Sequence, residues 1–384
     1  MINPRVSLLK KSTTLKITAL TKKLLKEGKD VVNFAAGEPD FDTPEFIKTA
    51  AKEAIDRGFT KYTPSTGIQE LKEAVAAKLQ EENNLIYSKD NIIITTGAKY
   101  ALFVALFGLL DFGDEVIIPS PYWVSYPEMV KLIGANTVFL PTLQTDNFKI
   151  NPKELEKVIT AKTKILILNY PNNPTGVTYS KQELFHIYEV VKDKGIFVVS
   201  DEIYEVLTYD NKKHVSFASL GGAKDFTITV NGFSKTFSMT GWRMGYLAAP
   251  SDIINEISKI IDHTTSCACS ISQQAALAAL RDKNWKDNVR AKFQERRDLL
   301  LSGLSGCDKL RALKPEGTFY MFCDVSRTGL SSFDFSTKLL ERELVSCIPA
   351  DAFGKEGFVR LSFSTDTQQI SKGVKRIKRF INNG

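Results

Sequence analysis

Lys235 carries the strongest chemical signal in this sequence. It follows the apolar run Phe226 to Val230 through Asn231-Gly232-Phe233-Ser234, and its flanking residues are small or apolar. A lysine at the end of a buried strand loses hydration, which favours the neutral amine and suits it to Schiff-base chemistry with a carbonyl. Ser234 and Arg243, the latter within Thr240-Gly241-Trp242-Arg243-Met244-Gly245-Tyr246, add a hydroxyl and a guanidinium able to grip a phosphate at two points. A salt-bridged surface position, the ordinary fate of a lysine, does not suit these neighbours.

Two further segments end in residues of the same kind of interest. The run Ile196 to Val199 leads into Ser200-Asp201-Glu202-Ile203-Tyr204, a carboxylate after a strand with a phenol one helical turn later. Asp201 has two uses open to it. It can cap a following helix, or it can keep the ring nitrogen of a pyridoxal phosphate (PLP) protonated, so that the ring serves as an electron sink. In the second use Tyr204 reaches the phenolate oxygen of that ring. The run Ile92 to Ile94 leads into Thr95-Thr96-Gly97-Ala98-Lys99 and then into the apolar stretch Tyr100 to Leu110. Small Gly97 and Ala98 either form a plain tight turn or let an anion approach the first amides of a buried helix. No GxxxxGK[ST] or GxGxxG pattern occurs, so nucleotide folds of those kinds are not indicated.

The remaining reactive residue types point nowhere else. His186, His214 and His263 match no ligand or triad spacing. Cys267, Cys269, Cys307, Cys323 and Cys347 form neither a disulfide framework nor a zinc pattern, since no second Cys or His pair supports Cys267 and Cys269. Reduced thiols in a cytoplasmic protein are expected. The net charge of +7 and the cluster Lys372, Lys375, Arg376, Lys378 and Arg379 raise the question of nucleic acid. Ile370, Val374, Ile377 and Ile381 recur through that cluster at helical spacing, which makes it the solvated face of an amphipathic helix. Met1 to Lys10 has no apolar core of a secretion signal, and Tyr100 to Leu110 is far shorter than the roughly 20 residues that cross a bilayer. No nucleic-acid or membrane partner is expected.

The elements that position these residues follow from the apolar pattern. With 43% hydrophobic and 25% charged residues over 384 positions, the chain can bury one large core and a smaller one. Runs at Ile92–Ile94, Val116–Ile118, Val138–Leu140, Ile165–Leu168, Ile196–Val199, Phe226–Val230 and Tyr246–Ala249 alternate with helical stretches. Continuous apolar strands separated by helices predict an α/β fold, with a mainly parallel seven-stranded sheet covered by helices on both faces. Ligands of such sheets collect at the carboxyl ends of the strands, where Gly97, Asp201 and Lys235 fall. Beyond it, a helix at Trp285–Leu304, short strands near Phe319–Cys323, Val345–Ile348 and Phe358–Phe363 and a closing helix predict a smaller α+β domain. The helix Leu15–Leu25 is expected to join it. The predicted division is an arm at 1–44, a large domain at 45–283 and a small domain at 284–384.

In order along the chain stand Ala36-Gly37-Glu38-Pro39-Asp40, Lys61-Tyr62, Thr96-Gly97-Ala98-Lys99, Pro121-Tyr122-Trp123, Pro171-Asn172-Asn173-Pro174-Thr175-Gly176, Ser200 to Tyr204, Ser234-Lys235, Gly241 to Gly245 and Val359-Arg360-Leu361-Ser362. In these motifs the sequence resembles the class I aminotransferases of PLP fold type I along nearly its whole length. The resemblance implies PLP bound through Lys235, with Asp201 at its ring nitrogen and Asn173 and Tyr204 at its phenolate oxygen. It implies Trp123 on the ring face, and Gly97, Ala98, Lys99, Ser234 and Arg243 around the phosphate. Tyr62 matches a tyrosine that reaches the phosphate of a neighbouring subunit, so a homodimer with shared sites is implied. Arg360 resembles the clamp for the substrate α-carboxylate, assisted by the amide of Gly37. A guanidinium within a strand is costly to bury without an anion, which is either that substrate or an internal Asp or Glu.

For the substrate side chain, no arginine lies between Arg243 and Arg281 to serve as a second carboxylate reader. The sequence is instead similar to a bacterial branch in which a lysine and an N-terminal threonine recognise an acidic side chain, matched here by Lys99 and Thr14. Aspartate and prephenate enzymes share that pair. The implied reaction is ping-pong transamination between an acidic amino acid and an oxo acid, aspartate and 2-oxoglutarate foremost. Lys235 serves as the general base at the substrate Cα. Competing outcomes on the same scaffold are a PLP-dependent C–S lyase and an aromatic or alanine-type aminotransferase. A PLP-binding transcription regulator is disfavoured, because Ala36-Gly37-Glu38 lies too near the start to follow a DNA-binding module.

Overall fold

The computed structural model describes the chain apart from residues 1, 3, 10–12, 283 and 384, and for residues 13–16 the backbone without side chains. All seven apolar runs become strands of one sheet, in spatial order Ile92–Thr95, Gly245–Ala248, Thr227–Gly232, Phe197–Asp201, Thr163–Asn169, Glu115–Ser120 and Asn136–Pro141. Six point the same way. Gly245–Ala248 alone is reversed, antiparallel to both its neighbours. A parallel return needs a crossover of a dozen or more residues, usually a helix, whereas residues 233–244 form turns. The chain therefore comes straight back beside the strand it left, and Ser234, Lys235 and Arg243 all sit in that short connection.

Alternation along the strands assigns the two faces. Ile93, Ile118, Ile167, Val199, Val230 and Leu247 pack under the helices Ala98–Leu109, Ser125–Ile133 and Ser251–Asp262. Ile92, Ile94, Tyr246 and Ala248 face Gln69–Asn83 and Ser270–Arg281, and Leu166, Leu168 and Val198 face Lys181–Val191. Each fully buried Leu, Ile or Val here contributes about 1.5–3 kcal/mol through apolar burial. That packing is what holds the carboxyl ends of the strands rigid.

The smaller sheet has the order Ile348–Pro349, Phe358–Ser362, Tyr320–Asp324 and Arg311–Ala312, antiparallel throughout. Asn284–Leu304, Ser332–Glu343 and Thr367–Asn382 pack around it. The expected strand Val345–Ile348 is divided at Cys347. Val345–Ser346 pairs in parallel with Val32–Asn33, while Ile348–Pro349 joins the four-stranded sheet. The N-terminal helix, Thr13–Lys26, sets Ile17 among Phe322, Ile348, Phe353 and Phe358, so the arm packs with the small sheet. In the closing helix Ile370, Val374, Ile377 and Ile381 are buried. Three of its basic residues meet acids of the same chain, Lys372 and Arg376 at Asp30 and Arg379 at Glu343. All five cysteines are free.

Candidate active site

Register along the central strands brings Asn169, Asp201 and Val230 side by side. The segments that follow these three positions therefore leave the sheet at one edge, and they carry Asn173, Tyr204 and Lys235. Together with parts of the small sheet and of the arm they enclose a cavity of about 520 Å³. Asp201, Tyr204, Asn173, Ser234, Lys235, Arg243, Ala98, Lys99, Trp123, Gly37 and Arg360 all line it.

The Asp201 carboxylate is buried. It accepts from the Tyr126 hydroxyl at 2.6 Å and from the Ile203 amide at 3.3 Å. Burial pushes its pKa up to about 6 against the pull of those two donors and of Lys235. No helix follows it, because residues 203–206 form a turn rather than the helical turn expected from sequence. Thr208 then bridges to Gly317, so the chain runs at once toward the segment that enters the small sheet at Tyr320. The capping use of Asp201 is thereby corrected, and its carboxylate faces the cavity.

Lys235 is half-buried, and its Nζ donates to the Gly37 carbonyl at 2.6 Å. Loss of hydration lowers its pKa to about 8, with Arg360 and Arg243 acting in the same direction and Glu38 and Asp201 opposing. A useful share of neutral amine therefore exists near neutral pH. Glu38 in turn accepts from the Thr240 hydroxyl at 2.7 Å.

At the start of Ala98–Leu109, the amides of Ala98 and Lys99 meet no acceptor among the described residues. Gly97 adopts φ +84°, and a Cβ there would overlap the Arg243 guanidinium. A Cβ on Gly245 would run into the Ala98 amide. Arg243 is oriented by Nη1 on the Thr240 carbonyl at 3.1 Å and Nη2 on that of Thr96 at 3.4 Å. Free amides at a helix N-terminus, Ser234 and this guanidinium compose an anion cradle. The plain-turn use of Gly97-Ala98 does not account for it. Trp123 forms another part of the wall, edge-on to Tyr126 with centroids 5.3 Å apart. These surroundings fit a flat aldehyde with a phosphate arm and a basic ring nitrogen: Lys235 for the aldehyde, Asp201 for the nitrogen, the cradle for the phosphate.

Arg360 leaves the small sheet between Phe322 and Ile348 and is 5% exposed. Its Nη1 donates to Asn173 Oδ1 at 2.9 Å and its Nη2 to the Ala35 carbonyl at 3.5 Å, while Nε has no partner. Among the described residues no Asp or Glu pairs with it, so the internal-acid alternative does not hold. A buried guanidinium with an unsatisfied edge in a cavity asks for an external anion. Lys99 Nζ lies 4.7 Å from the Trp123 ring centroid, and burial followed by Arg243 lowers its pKa.

Two predicted residues stand apart. Tyr62 is 90% exposed and does not line the cavity. Thr14 lies in the helix Thr13–Lys26, and its side chain falls outside the described residues. Thr18, one turn on, lines the cavity and was not singled out from sequence. Nor were Tyr126 and Tyr320. Tyr126 had a signal available, since it lies three residues after Trp123, one helical turn. Tyr320 sits in the uniformly aromatic and apolar run Phe319 to Phe322, where nothing marks its hydroxyl. Glu202 is a structural acid behind the site, accepting from Ser200 Oγ at 2.7 Å, Ser216 Oγ at 2.8 Å and bonded to His214 at 2.8 Å.

Comparison with known proteins adds three findings. A family model, Aminotransferase class I and II, matches residues 29–377. An aspartate aminotransferase of Bacillus subtilis is 44% identical over 98% of both chains, and a probable aspartate/prephenate aminotransferase of Aquifex aeolicus is 43% identical over 98% of this chain and 97% of its own. Among solved structures, an aspartate aminotransferase from Thermus thermophilus with maleate superposes with a TM-score of 0.95 at 40% identity, covering 99% of each chain.

Proposed function

The chain belongs to the aminotransferase class I and II family, and from that premise we propose how its cavity selects acidic substrates and divides the work among its residues. The enzyme is a PLP-dependent aminotransferase of the aspartate type, exchanging the amino group of aspartate with 2-oxoglutarate to give oxaloacetate and glutamate in two half-reactions. The observation that carries the acidic-substrate reading is that two cations beyond the phosphate cradle, Arg360 and Lys99, open into the one cavity that holds Lys235. The maleate in the Thermus structure, itself a dicarboxylate, supports it.

PLP when bound supplies an electron sink for negative charge developing at the substrate Cα. This chain's residues do the rest. The Ala98 and Lys99 amides, Ser234 and Arg243 hold the phosphate, Trp123 covers the ring face, and Asn173 and Tyr204 donate to the ring oxygen. Asp201 holds the proton on the ring nitrogen. Its buried carboxylate gains the cation that burial otherwise denies it, and so stays ionised. Arg360, with the Gly37 amide, seats the α-carboxylate. Lys235 Nζ, neutral as an amine, takes the Cα proton and carries it within the cavity.

Three coarser features accompany this assignment. The chain divides into an arm at 1–44, a large domain at 45–283 and a small domain at 284–384, supported by the pairing of Val32–Asn33 with Val345–Ser346. Two copies assemble so that Tyr62 of one reaches the phosphate of the other; its 90% exposure off the cavity supports this, as does the stacked row Tyr100, Phe103 and Phe107 with Phe107 about half exposed. The location is cytoplasmic, supported by the five free thiols. No helix among the described residues is long and apolar enough to cross a membrane.

The test is to mix the yellow holoenzyme with a panel of amino acids and follow loss of its visible absorbance. Aspartate and glutamate should bleach it fastest. Faster bleaching by aromatic donors or alanine would remove Lys99 and Thr14 from the specificity role. Release of pyruvate and ammonia from cysteine conjugates without an acceptor would mark a lyase. Prephenate as acceptor separates the two acidic possibilities.

A further inference from the structure

Tyr320 is buried at 1% exposure on an inner strand of the small sheet, and it touches both halves of the site. Its ring lies under the Arg360 guanidinium, 4.0 Å from the ring centroid to Cζ. Its hydroxyl is 3.2 Å from the Tyr204 hydroxyl. Neither contact follows from the motif that carries Arg360 or from the one that carries Tyr204.

The two contacts constrain each other. A guanidinium stacked on an aromatic face is held in plane, so its free edge stays aimed at a carboxylate. Asn173 Oδ1 and the Ala35 carbonyl steady the other edge. At the other end of Tyr320, the two phenol hydroxyls form one hydrogen bond, in which either can be the donor. If Tyr204 is to donate to a cofactor oxygen, it must accept from Tyr320, because each hydroxyl has a single proton to give. A donor that itself accepts a hydrogen bond is polarised and donates more strongly.

We propose that Tyr320 is a positioning residue that joins the carboxylate clamp to the cofactor-oxygen donor: its ring sets the plane of Arg360 and its hydroxyl donates to Tyr204. The proposal rests on the assignments of Arg360 and Tyr204 made above. The two jobs are separable, since Tyr320→Phe removes only the hydroxyl and Tyr320→Leu removes the aromatic face as well.

Two readouts on the holoenzyme test it, neither of them turnover. The first is the pH midpoint at which the visible absorbance of the bound cofactor titrates. Weaker donation to an anionic ring oxygen makes that oxygen hold a proton more readily, so Tyr320→Phe should raise the midpoint by about 0.2–0.5 pH unit. Tyr204→Phe should raise it further, and adding Tyr320→Phe to Tyr204→Phe should then change nothing. The second is the dissociation constant of succinate, read from the same band. It should stay within about twofold for Tyr320→Phe and weaken about tenfold for Tyr320→Leu. Tyr320→Met, whose unbranched side chain adapts to the gap, replaces the Leu variant if that one does not fold.

An unmoved midpoint in Tyr320→Phe, or equal increments with and without Tyr204, would overturn the hydroxyl's job. Unchanged succinate binding in the Leu or Met variant would overturn the ring's job. A Tyr204→Phe midpoint equal to the parent's overturns the assignment of Tyr204 and the coupling with it, whereas normal succinate binding by Arg360→Lys sinks the clamp assignment on its own.

Discussion

The two walls of the cavity solve different problems with different physics. The wall built from the large sheet holds groups away from their ordinary pKa values, Asp201 up to about 6 and Lys235 down to about 8, both through burial first. The wall built from the small sheet holds Arg360, a planar fork of donors aimed by its contacts with the Tyr320 and Phe353 rings. One wall is tuned by desolvation and the other by geometry. Desolvation suits proton transfer, which needs two states close in energy. Geometry suits recognition, which needs one state in a fixed place.

The contrast can be broken at four points. Lys235→Ala should have the largest effect, a fall in kcat of about 10⁴-fold or more, because the base at Cα is lost. A fall of tenfold or less in single-turnover kinetics would move the base elsewhere. Arg360→Lys keeps the charge and loses the planar fork, so kcat/KM should fall about 10²-fold for every amino donor. If charge alone mattered, the loss would be slight.

The third concerns stability of the cofactor-free protein. Asp201 has a folded pKa above its unfolded value of about 3.9, so its contribution is present in full below about pH 4 and is lost as pH rises through about 6. A shift of about two units corresponds to roughly 3 kcal/mol at about 1.4 kcal/mol per unit. Asp201→Asn should therefore gain that much relative to the parent between pH 4 and 7 in denaturant melts. Arg360→Gln should change stability by an amount independent of pH over the same range. Parallel curves for both variants would erase the distinction between the walls. The smallest effect is expected from Tyr126→Phe, which removes one donor from Asp201. It should lower kcat about tenfold and raise the acid-side midpoint of the kcat profile, with KM nearly unmoved. A changed KM alone would make Tyr126 a packing residue.

The large-sheet wall was the more legible in sequence, for a local reason. Asp201, Lys235 and Gly97 each follow an apolar run within a few residues, and a strand in a covered sheet leaves only its carboxyl edge for polar groups. The reversal of Gly245–Ala248 was not foreseen, because apolar runs carry no direction. Arg360 was recognisable as a buried cation in a strand, yet its freedom from an acid partner depended on what the fold set beside it. Tyr126 and Tyr320 were missed for the same reason. A phenol among apolar residues looks like core until its hydroxyl finds a carboxylate or another phenol.

The sequence by itself determined the α/β class, the seven strands, the placement of the chemistry after them and the family, all of which depend on short-range spacing and ordered motifs. Only the tertiary structure decided which groups meet. Asn173 comes to Arg360 across 187 positions and Tyr320 to Tyr204 across 116, and burial at that meeting place is what shifts Asp201 and Lys235 toward each other's working range. Such meetings depend on the packing of two sheets with no spacing of their own in the chain, and desolvation is a property of the enclosure rather than of any residue in it.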